Sequence, residues 1–142
     1  MTDCIFCRIV AGEVPVAKVY EDDQTLAFMD LGQVNPGHVI VAVKPHVADI
    51  YGLSDALAAA AFQTAAKVAR AAKQTFHPDG MTLLQANEPA GLQTVFHFHL
   101  HVLPRHVDDG VALTWPAKHP PREELERLAG LLREGVQALP AL

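Results

Sequence analysis

Three histidines stand at alternate positions in "HFHLHV": His97, His99 and His101. On an extended backbone successive side chains point to opposite faces, about 6 to 7 Å apart along each face. The three imidazoles then share one face, while Phe96, Phe98, Leu100 and Val102 share the other and can seal a core. Three uses compete for such a row. A solvated strand face would carry a mixture of Thr, Lys, Glu and Ser rather than three imidazoles. Two histidines at i and i+2 can reach one Zn²⁺, with further ligands from elsewhere. A neutral imidazole can also attack an electrophile such as phosphorus, while its neighbours carry a proton and orient the ring. Just upstream, "EPAGLQT" (Glu88 to Thr94) offers Gly91 for backbone freedom, then the Gln93 amide and the Thr94 hydroxyl as donors to an anion. The same stretch would also serve as an ordinary hairpin loop.

A second constellation is Cys4-x-x-Cys7, formed by the chain's only two cysteines. The spacing suits a metal or a redox pair better than a structural staple, and two buried free thiols are the bland reading.

The elements that must position these groups follow from pattern. "CIFCRIVAGE" predicts a short helix, with Ile5, Ile9 and Val10 on one side and Gly12 ending it. "AKVYEDD", "TLAFMD", "HVIVAV", "MTLLQAN" and "TVFHFHLHVLP" read as strands, with "NPG" as a turn and Pro45 and Pro104 as stops. "LSDALAAAAFQTAAKVARAAKQTF" predicts one long helix, N-capped by Ser54 and closed by "HPDG", with Leu57, Phe62, Ala65, Val68, Ala69 and Ala72 on one apolar face. Its alanines would allow close packing, against its own sheet or against a second subunit. "PREELERLAGLLREGVQAL" predicts a final amphipathic helix with Leu125, Leu128, Leu131, Leu132 and Val136 inward. Strands neighbour strands, with one long helix inserted. The expected class is α+β: a single domain over 1–142, with a five-stranded antiparallel sheet, one long helix and a C-terminal helix.

Bulk properties bound the rest. The 142 residues suffice for one core without disulfides, and half of them are apolar. The formal charge of −5 and the lack of a basic block argue against a nucleic-acid partner. No apolar run reaches bilayer length and no leader pattern opens the chain, so the expectation is a cytoplasmic protein without a membrane partner.

"HFHLHVLPR", its lead-in "AGLQTVFH", and the stretches "CIFCRIVAGEVPVAKVYEDD", "LAFMD" and "NPGHVIV" together resemble the histidine triad family over nearly the whole chain. The likeness is to its Hint-like nucleotide-binding branch, in the bacterial form with an N-terminal Cys-x-x-Cys. That resemblance implies a homodimer with a continuous sheet, binding of purine nucleotides of the AMP or GMP type, and hydrolysis or transfer at the α-phosphate. It implies His99 as nucleophile, His101 at the phosphate and leaving group, His97 as first triad member and His38 as supporting histidine. Asp30 matches the carboxylate that holds the ribose. Ile5, Phe6, Ile9, Phe28 and Leu31 match base and ribose positions, and Asn87, Gln93 and Thr94 the phosphate side. It further implies structural zinc on Cys4, Cys7, His46 and His97. In the implied mechanism Nε2 of His99 attacks the α-phosphorus while its other nitrogen is held by a backbone carbonyl, and His101 donates to the leaving atom. A dinucleoside polyphosphate hydrolase and a nucleotide-binding regulatory protein remain as alternatives. Two positions depart from the family pattern. Leu92 stands where Gly usually precedes the Gln, which would limit a left-handed backbone, and Glu88 adds negative charge near an anion site. Trp115 is expected to pack, and His106 and His119 to lie on the surface without a role.

Overall fold

The computed structural model describes residues 3–141. They form two compact units, 3–110 and 111–141. The first unit carries α1 (Ile5–Val10), β1 (Lys18–Glu21), β2 (Thr25–Met29), β3 (Val39–Val43), α2 (Asp55–Phe76), β4 (Gly80–Leu84) and β5 (His99–Arg105). The second carries α3 (Arg122–Gln137). The five strands make one antiparallel sheet in the order β1-β2-β3-β5-β4. Among the described residues, no helix is long and apolar enough to cross a membrane.

Alternation along the central strands gives the sheet two different faces. Ala27, Val39, Val41, Val43, Leu100 and Val102 point to one face and meet Ala61, Ala65 and Val68 of α2. Leu26, Phe28, Ile40 and Ala42 point to the other, where Phe6 and Ile9 of α1 cover part of them. His99 and His101 pair across the sheet with Ala42 and Ile40, so their side chains emerge on this second face. Phe98 joins the α2 side, so the residues between the histidines anchor them as the pattern requires. Val41, Val43 and Val102 are fully buried, each contributing about 2 kcal/mol of transfer free energy.

Caps fix the helix ends. Ser54 Oγ accepts from the Leu57 N–H at 3.2 Å, and His77 closes α2 in the left-handed region. Cys4 caps α1, its Sγ accepting from the Cys7 N–H at 3.4 Å. A buried hydrogen bond between the Thr25 and Thr64 hydroxyls, 2.8 Å long, fastens α2 to β2.

Several expectations need correction. The histidine strand begins at His99; residues 95–97 bend away from the sheet. Phe96, expected in the core, is therefore half exposed. Phe62 points outward from α2, because the helix buries the narrower stripe through Ala61, Thr64, Ala65, Val68 and Ala72. On α1 the inward pair is Phe6 and Ile9, with Ile5 exposed. Within the second unit, Leu125, Leu128, Leu131, Leu132 and Val136 of α3 are exposed, because among its described residues α3 is the only regular element and nothing there covers its apolar face.

Candidate functional site

Each triad imidazole has one nitrogen committed to a fixed partner, and the partner decides what the other nitrogen can do. His99 Nδ1 lies 2.7 Å from the carbonyl oxygen of His97. A carbonyl only accepts, so the proton is on Nδ1 and the lone pair is on Nε2. His97 Nε2 lies 2.6 Å from the carbonyl of Val43, so its proton is there and its lone pair is on Nδ1. That Nδ1 stands 3.3 Å from Cys4 Sγ and 3.6 Å from Cys7 Sγ. His101 is held differently. Its Nδ1 is 2.9 Å from His38 Nε2, and His38 Nδ1 accepts from the Val34 N–H at 3.4 Å. His38 must then carry its proton on Nε2 and donate to His101 Nδ1, leaving the His101 proton on Nε2. The same side-chain type thus appears in three prescribed states: a metal-type donor, a nucleophile-type lone pair and a hydrogen-bond donor.

The environment keeps these rings neutral. Burial lowers the pKa of His97 and His99, opposed in each by the hydrogen bond to a carbonyl. Burial, with His99 and His38 adding to it, pushes His101 down to about 4, opposed by the Asp30 carboxylate. Burial lowers His38 as well, again against Asp30. Asp30 Oδ2 sits 3.5 Å from His38 Nε2 and 3.7 Å from His101 Nδ1. The other oxygen of Asp30 accepts from the Gly32 N–H at 2.7 Å.

His99 and His101 open onto a cavity of about 400 Å³. Its walls are apolar: Ile5, Phe6 and Ile9 from α1, Phe28 and Ile40 from the sheet, and the segment 14–17. Phe6 meets the His99 ring edge-on, centroid to centroid 4.9 Å, and Phe28 at 5.5 Å. Asp30, Leu31 and Thr94 complete the rim. Of the residues singled out from sequence, Ile5, Phe6, Ile9, Phe28, Asp30, Leu31, Thr94, His99 and His101 therefore converge on one cavity.

Two residues expected on the phosphate side, Gln93 and Asn87, lie outside that cavity. The buried Gln93 side chain is engaged by backbone: its Nε2 donates to Ala48 O at 2.6 Å and Val95 O at 3.1 Å, and its Oε1 accepts from the Glu88 N–H at 2.7 Å. Asn87 accepts from the Ile50 N–H at 2.8 Å and pairs with Gln85. Sequence reasoning missed Val14 to Ala17 as cavity wall; the only signal is "VPVA", an apolar run stiffened by Pro15. Leu92 adopts the left-handed conformation it was expected to resist (φ 73°), and Glu88 also has positive φ (63°, ψ 161°). His106 lines no part of the cavity.

Residues 11–108 match the HIT domain family model. The chain belongs to the HIT family. Among curated relatives, Protein hit of Bacillus subtilis is 44% identical over 114 residues, covering 80% of this chain and 79% of that protein. The adenosine 5'-monophosphoramidase hnt1 of Schizosaccharomyces pombe is 34% identical over 126 residues, covering 88% and 92%. Among solved structures, a HIT family protein from Bacillus anthracis superposes with a TM-score of 0.90 at 39% identity, covering 94% of this chain and 96% of that one. A Zn-bound histidine triad family protein from Mycobacterium smegmatis superposes with 0.75 at 34% identity, covering 96% and 98%. The sheet and helices described above are the α+β fold of HIT proteins.

A metal can be tested against the donor set. Cys4, Cys7, His46 and His97 bring their ligand atoms within 4.8 Å of one another. Cys7 Sγ is 3.3 Å from His46 Nδ1. Tetrahedral zinc with ordinary bond lengths separates its ligand atoms by roughly 3.4–3.8 Å, close to the three sulfur–nitrogen distances of 3.3, 3.3 and 3.6 Å in this cluster. His97 Nδ1 is already free of its proton, and its Nε2–H is held by a carbonyl, the arrangement a ligating histidine requires. Burial, then the neighbouring Cys4, raises the pKa of Cys7. The residues fit Zn²⁺.

Proposed function

We propose that this HIT protein hydrolyses purine nucleoside phosphoramidates, or related nucleotidyl conjugates, at the α-phosphate through a nucleotidyl-histidine intermediate. One observation carries the reading: His99 is buried and neutral, holds its proton on Nδ1 against His97 O, and directs its Nε2 lone pair at a cavity of about 400 Å³. Hydrolysis of phosphoramidates by the fission-yeast relative agrees with it.

The geometry supports a two-step displacement. The base and ribose lie between the apolar walls from α1, β2 and segment 14–17, with Asp30 at the rim to accept from ribose hydroxyls. The His99 Nε2 lone pair forms the N–P bond in line as the P–N bond to the leaving amine breaks. The imidazole becomes cationic, and its Nδ1–H bond to His97 O strengthens at that moment. An anionic phosphate beside His101 raises that ring's pKa from about 4, so the ring takes up one solvent proton at Nδ1 as substrate binds, and the new Nδ1–H and the His38 Nε2–H both turn to the Asp30 carboxylate, which stabilises the imidazolium. His101 Nε2–H then passes its proton to the departing amine. Water attacks the nucleotidyl-His99, restores neutral His99, and returns a proton to His101. Net, one P–N bond is exchanged for one P–O bond.

Zinc on Cys4, Cys7, His46 and His97 belongs to the proposal as a structural ion: it supplies a cross-link between the α1 N-terminus and the bend before β5. The chain's own residues then hold His97, and so the carbonyl that orients His99. A homodimer belongs to it too, supported by exposed Phe62 on α2 and Leu84 on the edge strand β4. Size-exclusion chromatography with light scattering checks it; a monomer at micromolar concentration overturns it.

The central experiment follows AMP release from adenosine phosphoramidate. Wild type turns over, and a rapid quench traps a protein adduct of one nucleotidyl group. His99→Ala with full turnover overturns the reading.

A further inference from the structure

We propose that Gln33 is a positioning residue that fixes the proton of His101 on Nε2. The kinetic part of this proposal rests on the hydrolase reading; the tautomer part stands without it.

The turn from Asp30 to His38 carries both groups that reach the inner side of the His101 ring. The Gln33 side chain meets four of that turn's backbone groups. Its Nε2 donates to the carbonyls of Asp30 and His38, 2.6 Å each. Its Oε1 accepts from the N–H of Gly37 at 3.0 Å and of His38 at 3.2 Å. A single amide thereby adds four bonds to the two backbone bonds of the turn itself, Asp30 N–H to His38 O at 3.0 Å and His38 N–H to Asn35 O at 3.2 Å. Two further restraints close the turn. Gly37 sits at φ 96°, where an added Cβ would come within 2.8 Å of the Phe76 ring. Asn35 Nδ2 donates to Pro104 O at 2.8 Å and to Asp109 Oδ2 at 2.9 Å, tying the turn to the end of β5.

Closure of this turn brings the Val34 N–H onto His38 Nδ1. That contact decides the tautomer of His38, which decides the tautomer of His101. Gln33 itself is exposed, and its side-chain amide bonds only to the backbone of the turn. Its effect on His101 therefore runs through the turn, and hydration alone would be served by any polar residue. Around His101 the titratable groups are His99 on its own strand and His38 and Asp30 on the turn; its sheet neighbours, Ile40 of β3 and Leu84 of β4, carry no charge.

The test is ¹⁵N NMR of the imidazoles in wild type, Gln33→Ala and Gln33→Met, with kinetics beside it. Met keeps the length of the side chain and removes its hydrogen bonds. The expected wild-type state is a single Nε2–H tautomer for both His38 and His101. In both variants each ring becomes a mixture of tautomers, and kcat falls by about tenfold to a hundredfold with KM nearly unchanged, as misplacement of a reacting group does. Wild-type tautomers in both folded variants overturn the proposal, and so does mixing of tautomers with kcat unchanged. Loss of folding in both variants also counts against it, since Gln33 would then be a folding residue. If wild type itself shows no turnover, the hydrolase reading falls alone, and the tautomers still decide the role of Gln33.

Discussion

The two ends of the histidine row use the same side chain under opposite constraints. At the His97 end the ring is wholly buried, its Nε2–H is bound to a carbonyl, and its free nitrogen faces two thiols and a second imidazole. At the His101 end the ring is partly exposed, its Nδ1 is bound to His38, and its Nε2–H faces a cavity. His99 stands between them and is oriented by the backbone of the first. The difference shows that imidazole identity alone does not assign a role. The atom opposite the committed nitrogen does.

The sharpest break in that comparison separates His99 from His97. His99→Ala removes the nucleophile and lowers turnover by at least about a thousandfold. His97→Ala removes a thiol-cluster nitrogen but leaves the backbone carbonyl that holds His99 Nδ1. Turnover then falls only about tenfold to a hundredfold, as loss of a supporting interaction does, while bound zinc measured by atomic absorption drops towards zero. Equal losses of turnover in the two variants would erase the distinction between the ends.

Metal removal tests the His97 end alone. A zinc buffered at a thousand times its dissociation constant stabilises by about 4 kcal/mol, on the order of 10 °C in melting temperature for a domain of this size. Chelator treatment followed by calorimetry is expected to reveal that loss, and readdition of one zinc per chain to restore it. A melting temperature indifferent to both treatments removes zinc from the proposal.

Acid tests the His101 end. Its folded pKa of about 4 lies below the unfolded value near 6.5, so the unfolded chain binds the proton first as pH falls. The ring imposes no penalty above pH 6.5; the penalty grows through the interval and is complete near pH 4. Its size is on the order of 2 kcal/mol, reduced from the full shift because the side chain is about a quarter exposed. Burial depresses His38, His97 and His99 in the same direction, so they steepen the same acid limb. Urea unfolding from pH 7 to 4 should become shallower in pH for His101→Asn. Saturating AMP should raise the His101 pKa in an NMR titration, and an unchanged value would remove the proposed proton donor.

Much of this arrangement was legible in the residues. Period-two alternation put Phe98, Leu100 and Val102 in the core and His99 and His101 on the other face, because pleating is independent of what surrounds the strand. Ser54 as cap and the Ala-rich stripe located α2 for equally local reasons. Non-local geometry was not legible. The Phe98 N–H bonds to Val47 O and the His97 ring takes Val43 O, so the ladder with β3 stops there and His97 lies outside the strand, which no pattern in "VFHFH" announces. Gln33 gives no signal, since a glutamine in "LGQVNPG" reads as solvated loop until its four backbone partners are seen. Gln93 carried the opposite error of expectation: an amide beside an anion loop suggests a donor to ligand, yet the loop consumes it internally. The apolar face of α3 is strongly patterned, but a pattern specifies that a face is apolar and not what covers it.

The smallest expected effect concerns the loop that leads into the His97 end. Glu88 and Leu92 flank the turn Pro89–Gly91 with positive φ, and neither is glycine. Such conformations cost roughly 1–3 kcal/mol each in a residue with a Cβ, most at Glu88, whose ψ of 161° lies in a region nearly reserved for glycine. Gln93 holds the strained backbone through the Glu88 N–H, and Tyr51 donates to the Glu88 carboxylate at 3.2 Å. Leu92 is exposed, so replacing it removes strain without removing packing. Leu92→Gly should therefore stabilise by about 0.5–1 kcal/mol, the residual being offset by the greater freedom of glycine when unfolded. Glu88→Gly should gain less, because the bond from Tyr51 is lost. If both variants melt below wild type, the loop carries no strain worth relieving. If Leu92→Gly melts higher but turns over more slowly, the strain is being used to hold Thr94 at the cavity rim, and the loop belongs with the site and not merely beside it.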